Sequence, residues 1–91
     1  MNHIKFFIVS IHRDYIVRFH ANAEGIVMDY QKRYPGYQFH VKKIEAYLFC
    51  FSIVPPEEET DTTQTDACLK QLKEDVSKLI PSEYFRMEAA N

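Results

Sequence analysis

The stretch IKFFIVSI at residues 4–11 decides the fold, because it predicts the strand on which the other elements pack. Its residues are mostly β-branched or aromatic and are apolar at odd and even positions alike, as in a strand buried on both faces. The segment YIVRFH at residues 15–20 alternates more clearly between two sides. We therefore predict a second strand there and a tight hairpin with Ile8 opposite Phe19.

A helix is predicted to follow at residues 22–34. Asn22 is a suitable N-cap, and Pro35 disfavours helical geometry in the residue before it. The apolar residues share one stripe at helical spacing: Ala23, Ile26, Val27, Tyr30 and Tyr34. Gly36 after Pro35 then suits a type II turn.

Residues 38–54 are too long for one ordinary strand, and their apolar positions change parity between 41 and 44. They are either one bent strand or a hairpin that turns at residues 42–45. Residues 57–66 form a predicted acidic linker into a second helix, which ends at Pro81. Residues 82–91 are predicted to add a short helical turn or to fray.

These elements predict one α+β domain over residues 1–91. Its sheet is small and mostly antiparallel, with three or four strands, and the helices pack on it. The predicted element order is β-β-α-β(-β)-α, with the strands arranged 2-1-3-4 or in a close variant of that order.

The composition excludes several classes of protein. Only two glycines occur, so neither the three-glycine dinucleotide fingerprint nor a P-loop fits. Seven Phe and six Tyr supply large core side chains, so neither a metal nor a disulfide is needed for stability. No run approaches the roughly 20 apolar residues of a membrane span, and Cys50 and Cys68 lack CxxC spacing. We expect free thiols, a cytoplasmic protein and no membrane association.

Charge is distributed unevenly along the chain. Residues 1–56 carry a net charge of +3, whereas residues 57–91 carry −5. The predicted hairpin places basic and apolar side chains together on the sheet face opposite the first helix. This predicted interaction face consists of Phe7, Val9, Ile11, Arg18, His20, His40 and Lys42.

An apolar face of this size needs a cover, since monomers rarely expose more than a few hundred Å² of contiguous apolar surface. The acidic C-terminal helix, a second copy of the chain or an external ligand are the three candidates. If residues 47–54 lie at a sheet edge, the edge that dimerises consists of Tyr47, Phe49 and Phe51.

No motif for catalysis, metal binding or cofactor binding stands out. His12 and His20 are the closest histidines and are eight positions apart, which is not the spacing of a local metal site. Cys50 lies in an apolar strand, where burial leaves a thiol inert. Were a catalytic pocket present, we would look for it at His20, His40 and Tyr15.

The sequence therefore predicts a non-catalytic interaction module that forms a homodimer or binds another protein through its sheet. The acidic segment at residues 57–66 would steer partners electrostatically. The alternative is binding of single-stranded nucleic acid, since Phe7 beside Arg18 and Lys42 would combine stacking with positive charge.

Overall fold

The chain alternates strands and helices in the order β-α-β-β-α-β, so a helix stands where the sequence predicts the second strand. The computed structural model describes residues 4–59 and 61–90. Its strands are β1 (Lys5–Ile11), β2 (Gln38–Glu45), β3 (Leu48–Val54) and β4 (Phe85–Ala90). Its helices are α1 (Ile16–Arg33) and α2 (Thr63–Ser77), and 3-10 turns at Arg13–Tyr15 and Ser82–Tyr84 precede α1 and β4.

The predicted strand at residues 15–20 is wrong, because most of it forms the first turns of α1. The buried residues of α1 form one continuous helical stripe: Phe19, Ala23, Val27 and Tyr30. Val17, which a strand would place on the same side as Phe19, is instead 84% exposed. Six alternating residues suit a strand and the start of a helix about equally well, and packing of Phe19 decides between them.

The junction between β1 and α1 shows why no hairpin forms. Arg13 and Asp14 lack the positive backbone φ that favoured two-residue hairpin turns need, and the described chain has no positive φ angle. Gly36 therefore does not form the predicted type II turn either. At the junction, the Asp14 backbone N–H instead donates to His12 Nδ1 at 3.2 Å, and the Tyr15 N–H donates to the His12 carbonyl at 2.9 Å. This tight turn leads directly into α1.

The four strands form one sheet in the order β2-β3-β1-β4, and all neighbours are antiparallel. The predicted α+β class, the antiparallel sheet and the two packed helices are confirmed. The element order and the strand order differ from the prediction. Together they are the βαββαβ arrangement of ferredoxin-like domains.

Residues 38–54 form a hairpin, one of the two predicted alternatives, but it turns at residues 46–47 rather than at the predicted 42–45, which lie within β2. Its register shifts between Lys43 and Glu45, which explains the change of parity in the sequence. The fourth strand comes from residues 85–90, where a short helical turn or a frayed tail was predicted. These residues pair with Phe7–Ile11, which is all of β1 except its first two residues. Residue 91 lies outside the described residues.

The core lies between the two helices and one face of the sheet. Phe7 stacks on Phe51 with ring centroids 4.9 Å apart. Phe19 of α1 contacts this layer, 5.1 Å from Phe49 and 6.1 Å from Phe51. The second helix contributes a stripe of its own: Cys68, Leu69, Leu72 and Val76.

Two tyrosines tie the helices and the acidic segment to this core. The Tyr30 hydroxyl donates to Asp75 Oδ2 at 2.5 Å and so links α1 to α2. The Tyr37 hydroxyl donates to Glu59 Oε2 at 2.7 Å, and Thr65 Oγ1 donates to Glu59 Oε1 at 3.2 Å. The predicted linker at residues 57–66 is therefore anchored at Glu59, and α2 begins inside it at Thr63. Residue 60 of this segment lies outside the described residues.

Gly25 offers a test of α1. It lies in the interior of the helix, is exposed, and a Cβ added there would meet no atom within 4 Å. We expect Gly25→Ala to raise the free energy of unfolding by about 0.5–1 kcal/mol, because alanine loses less backbone entropy in a helix. Urea denaturation measures this change. Ala21→Gly, on the same exposed side of α1, should lower the free energy of unfolding by a similar amount. An unchanged free energy of unfolding in Ala21→Gly would contradict helical structure at residue 21.

Tyr37 should make the fold sensitive to alkali. Burial, and then the hydrogen bond to Glu59, raise its pKa from 10.0 to about 12. The folded chain thus keeps a proton that the unfolded chain loses, so stability is complete below pH 10 and falls as the pH rises towards 12. Burial and Asp75 also raise the pKa of Tyr30.

Denaturant titrations between pH 9 and 12 should therefore show a smaller loss of stability in Tyr37→Phe than in the wild type. Tyr47→Phe is the matched control, because Tyr47 is exposed at the hairpin turn. An identical pH dependence in all three proteins would contradict the role of the Tyr37–Glu59 hydrogen bond.

Candidate interaction surface

The predicted interaction face does not exist as one surface, because the prediction chose the wrong side of β1. Phe7, Val9 and Ile11 are at most 1% exposed and belong to the core under the helices. Their assignment to the far side depended on the hairpin with residues 15–20. Once that segment forms a helix over the sheet, its Phe19 covers the side that was expected to be open.

Two further members of the predicted face lie on α1 rather than on a strand. The Arg18 guanidinium carbon lies 5.6 Å from the centroid of the Tyr15 ring. His20 Nε2 lies 3.0 Å from Glu24 Oε1, and the His20 ring packs edge-on to Phe49 at 5.1 Å. Neither side chain belongs to the far side of the sheet.

His40 and Lys42 do lie on that far side, as predicted. Both are exposed on β2, where His40 pairs with Ser52 and Lys42 with Cys50. They are the two predicted residues that the structure keeps together on the face away from the helices.

The predicted dimer edge is also wrong. Phe49 and Phe51 are completely buried, and β3 lies between β2 and β1, so its backbone is paired on both sides. Tyr47 is exposed in the turn before β3, and its carbonyl accepts a hydrogen bond from the Ile11 N–H at 2.9 Å. The edges of the described sheet are β2 and β4.

The side of the sheet opposite the helices is the candidate interaction surface, and we call it the open face. Successive strand residues point to opposite faces, so the neighbours of the core residues in β1 and β3 point here. These central residues are half-buried: Phe6, Ile8, Ser10, Leu48, Cys50, Ser52 and Val54. Five of the seven are apolar or carry a thiol, so the centre of the open face is mainly apolar.

Two rows of paired residues cross the open face. One row runs Lys42, Cys50, Ile8 and Ala89, and the next runs Glu45, Leu48, Ser10 and Arg86. Glu88 is the extra residue at the register shift in β4, and its Oε2 lies 3.2 Å from Arg86 Nε. The charges therefore lie at the two edges, with Lys42 and Glu45 on β2 and Arg86 and Glu88 on β4.

Neither cysteine is placed for nucleophilic chemistry. Burial raises the pKa of the Cys50 thiol on the open face and that of the buried Cys68 thiol in α2. Raising the pKa lowers the fraction of reactive thiolate at neutral pH. Both thiols are free. Cys50 therefore contributes packing surface to the open face.

A shallow cavity of about 300 Å³ lies at the end of β1, lined by Ser10, Ile11, His12, Arg13 and Tyr47. The Asp14 carboxylate lies 3.7 Å from His12 Nδ1 and 3.8 Å from Arg13 Nε, so it offsets the positive charge at this end. The cavity adjoins the open face through Ser10. Sequence reasoning missed it, because its residues come from a junction and a hairpin turn that carry no motif.

The residues that we named for a catalytic pocket are not brought together. Tyr15 stacks on Tyr84 at 4.6 Å, His20 pairs with Glu24 on α1, and His40 lies on the edge strand β2. Across residues 4–59 and 61–90, no three His, Cys, Asp or Glu side chains form a group suited to a metal ion. In the same residues, no helix has both the length and the apolar character to cross a membrane.

Comparison with known proteins adds no relative on which a function could rest. No family model, no curated protein and no solved structure matches this chain. The open face, with its apolar centre and charged edges, therefore carries the functional argument.

Proposed function

We propose that this chain is a non-catalytic interaction module that forms a homodimer through its open face. One observation carries the proposal: both helices pack on the same side of the sheet, while Ile8, Leu48 and Cys50 remain half-buried on the other. Burying such a face is favourable at roughly 25 cal/mol per Å² of apolar surface. A second copy supplies a surface of the same kind, which suits a two-fold interface.

The size of the open face points to a weak, reversible dimer. Four strands at about 4.8 Å spacing and seven residues at about 3.3 Å each give a face of roughly 20 by 23 Å. Two such faces bury on the order of 1,000 Å², near the lower limit for specific protein interfaces. We therefore expect dissociation within the micromolar range rather than an obligate dimer.

The charge and aromatic content of the open face favour a protein partner over a nucleic acid. Among its described residues, Phe6 is the one Phe or Tyr, and Arg86 is already paired with Glu88. Nonspecific single-strand binding commonly uses several stacking side chains along a positively charged groove.

The thiols of Cys50 and Cys68 are unpaired, which supports a reducing compartment such as the cytoplasm.

The molecular mass in solution tests this proposal directly. We expect sedimentation equilibrium to show a concentration-dependent increase from 10.8 kDa towards twice that mass. Ile8→Asp should weaken association by about 100-fold or more, because the interface would bury two unpaired carboxylates, one from each copy. Val17→Asp places the same charge on the exposed outer side of α1 and should leave the mass unchanged.

A second measurement needs no variant that could disturb folding. Thiol titration with an aromatic disulfide reagent should modify Cys50 more slowly as the wild-type concentration rises through the dissociation constant, while buried Cys68 stays protected throughout. A monomeric mass at all concentrations, together with concentration-independent modification of Cys50, would overturn the proposal.

A further inference from the structure

The pattern of side chains on the open face specifies how a second copy lies against it. Resting on the proposed homodimer, we infer that its two-fold axis runs parallel to the strands, midway between β1 and β3. This rotation places β1 of each copy over β3 of the other and β2 over β4, since the sheet order is β2-β3-β1-β4. It also keeps every residue in its own row across the sheet.

The apolar centre fits this arrangement because large side chains then meet small ones. In the first row Ile8 lies over Cys50 of the second copy, and in the next row Leu48 lies over Ser10. The symmetry repeats both contacts with the copies exchanged. Two sheets packed about 10 Å apart interdigitate best when large and small residues face each other.

The edge charges fit the same arrangement. Lys42 on β2 lies in the row that ends beside Glu88 on β4, and Glu45 lies in the row that ends at Arg86. Exchanging β2 with β4 therefore brings Lys42 towards Glu88 of the second copy and Glu45 towards Arg86. Each end of the interface then holds two positive and two negative charges, which is the complementarity expected at a specific interface.

A two-fold axis that runs across the strands fits less well. With the faces fully overlapping, it would place Lys42 towards His40 of the second copy and Leu48 towards Val54. Large side chains would then meet large ones, and two basic side chains would approach. If the copies slide along the strands until Lys42 of one meets Glu45 of the other, the two basic side chains no longer approach each other. One end of each open face is then left without a partner.

Charge reversal at low salt distinguishes these arrangements. Lys42→Glu and Glu88→Lys should each weaken dimerisation about tenfold, because two attractive contacts per dimer become repulsive. The double variant should recover to within about threefold of the wild type. Within one chain the two positions lie on opposite edge strands, three strand spacings or about 14 Å apart, so recovery reports contact between copies.

Lys43→Glu is the matched control, because Lys43 lies beside Lys42 but pairs with Phe49, whose side chain points to the helices. It should leave the dissociation constant within about twofold of the wild type. The effects of Lys42→Glu and Glu88→Lys should shrink in 1 M salt, where charges are screened beyond about 3 Å.

The outcomes separate this inference from the proposed function. A wild-type chain that stays monomeric overturns both. Suppose that Ile8→Asp abolishes the dimer but Glu88→Lys does not restore the affinity lost in Lys42→Glu. This result would support the proposed homodimer and overturn only the axis parallel to the strands.

Discussion

The packing of Phe19 against the aromatic residues of β3 determines which side of the sheet becomes the core. Its ring lies 5.1 Å from Phe49 and 6.1 Å from Phe51, and Phe51 stacks on Phe7 at 4.9 Å. Because strand residues alternate between faces, these contacts turn every odd-numbered residue of β1 after Lys5, and of β3, towards the helices. The even-numbered residues of both strands are thereby left to the open face.

The sequence predicts this fold well where hydrophobic periodicity is long and poorly where it is short. The helix from residue 22 onward and the presence of a second helix are recovered from the sequence. The change of parity within residues 38–54 indicated the hairpin as one of two alternatives but misplaced its turn. Residues 15–20 are too few to distinguish the first turns of a helix from a strand. Residues 85–90 contain one aromatic residue and two terminal alanines, so their pairing with β1 is a tertiary effect without a strong local signal.

The candidate surface was only partly predictable for the same reason. His40 and Lys42 were placed correctly because they alternate with the apolar Phe39 and Val41 in the first part of the hairpin. Phe7, Val9 and Ile11 were placed on the wrong face, since β1 is apolar on both sides and its own sequence does not say which side the helices cover. Arg86 and Glu88 were missed with the strand that carries them.

The edges of the sheet explain why we propose association through the face rather than through an edge strand. Lys42 and Lys43 lie on β2, and a register shift follows them before Glu45. The opposite edge, β4, has its own shift at Glu88. Edge lysines and irregular registers are the usual features that prevent a strand from pairing with another chain. Addition of a foreign strand is thus discouraged at both edges, whereas the apolar rows of Ile8 and Leu48 are regular and flanked by charges of both signs. The proposed face-to-face packing would leave the outer backbone of both edge strands in water and bury the rows that the helices do not reach.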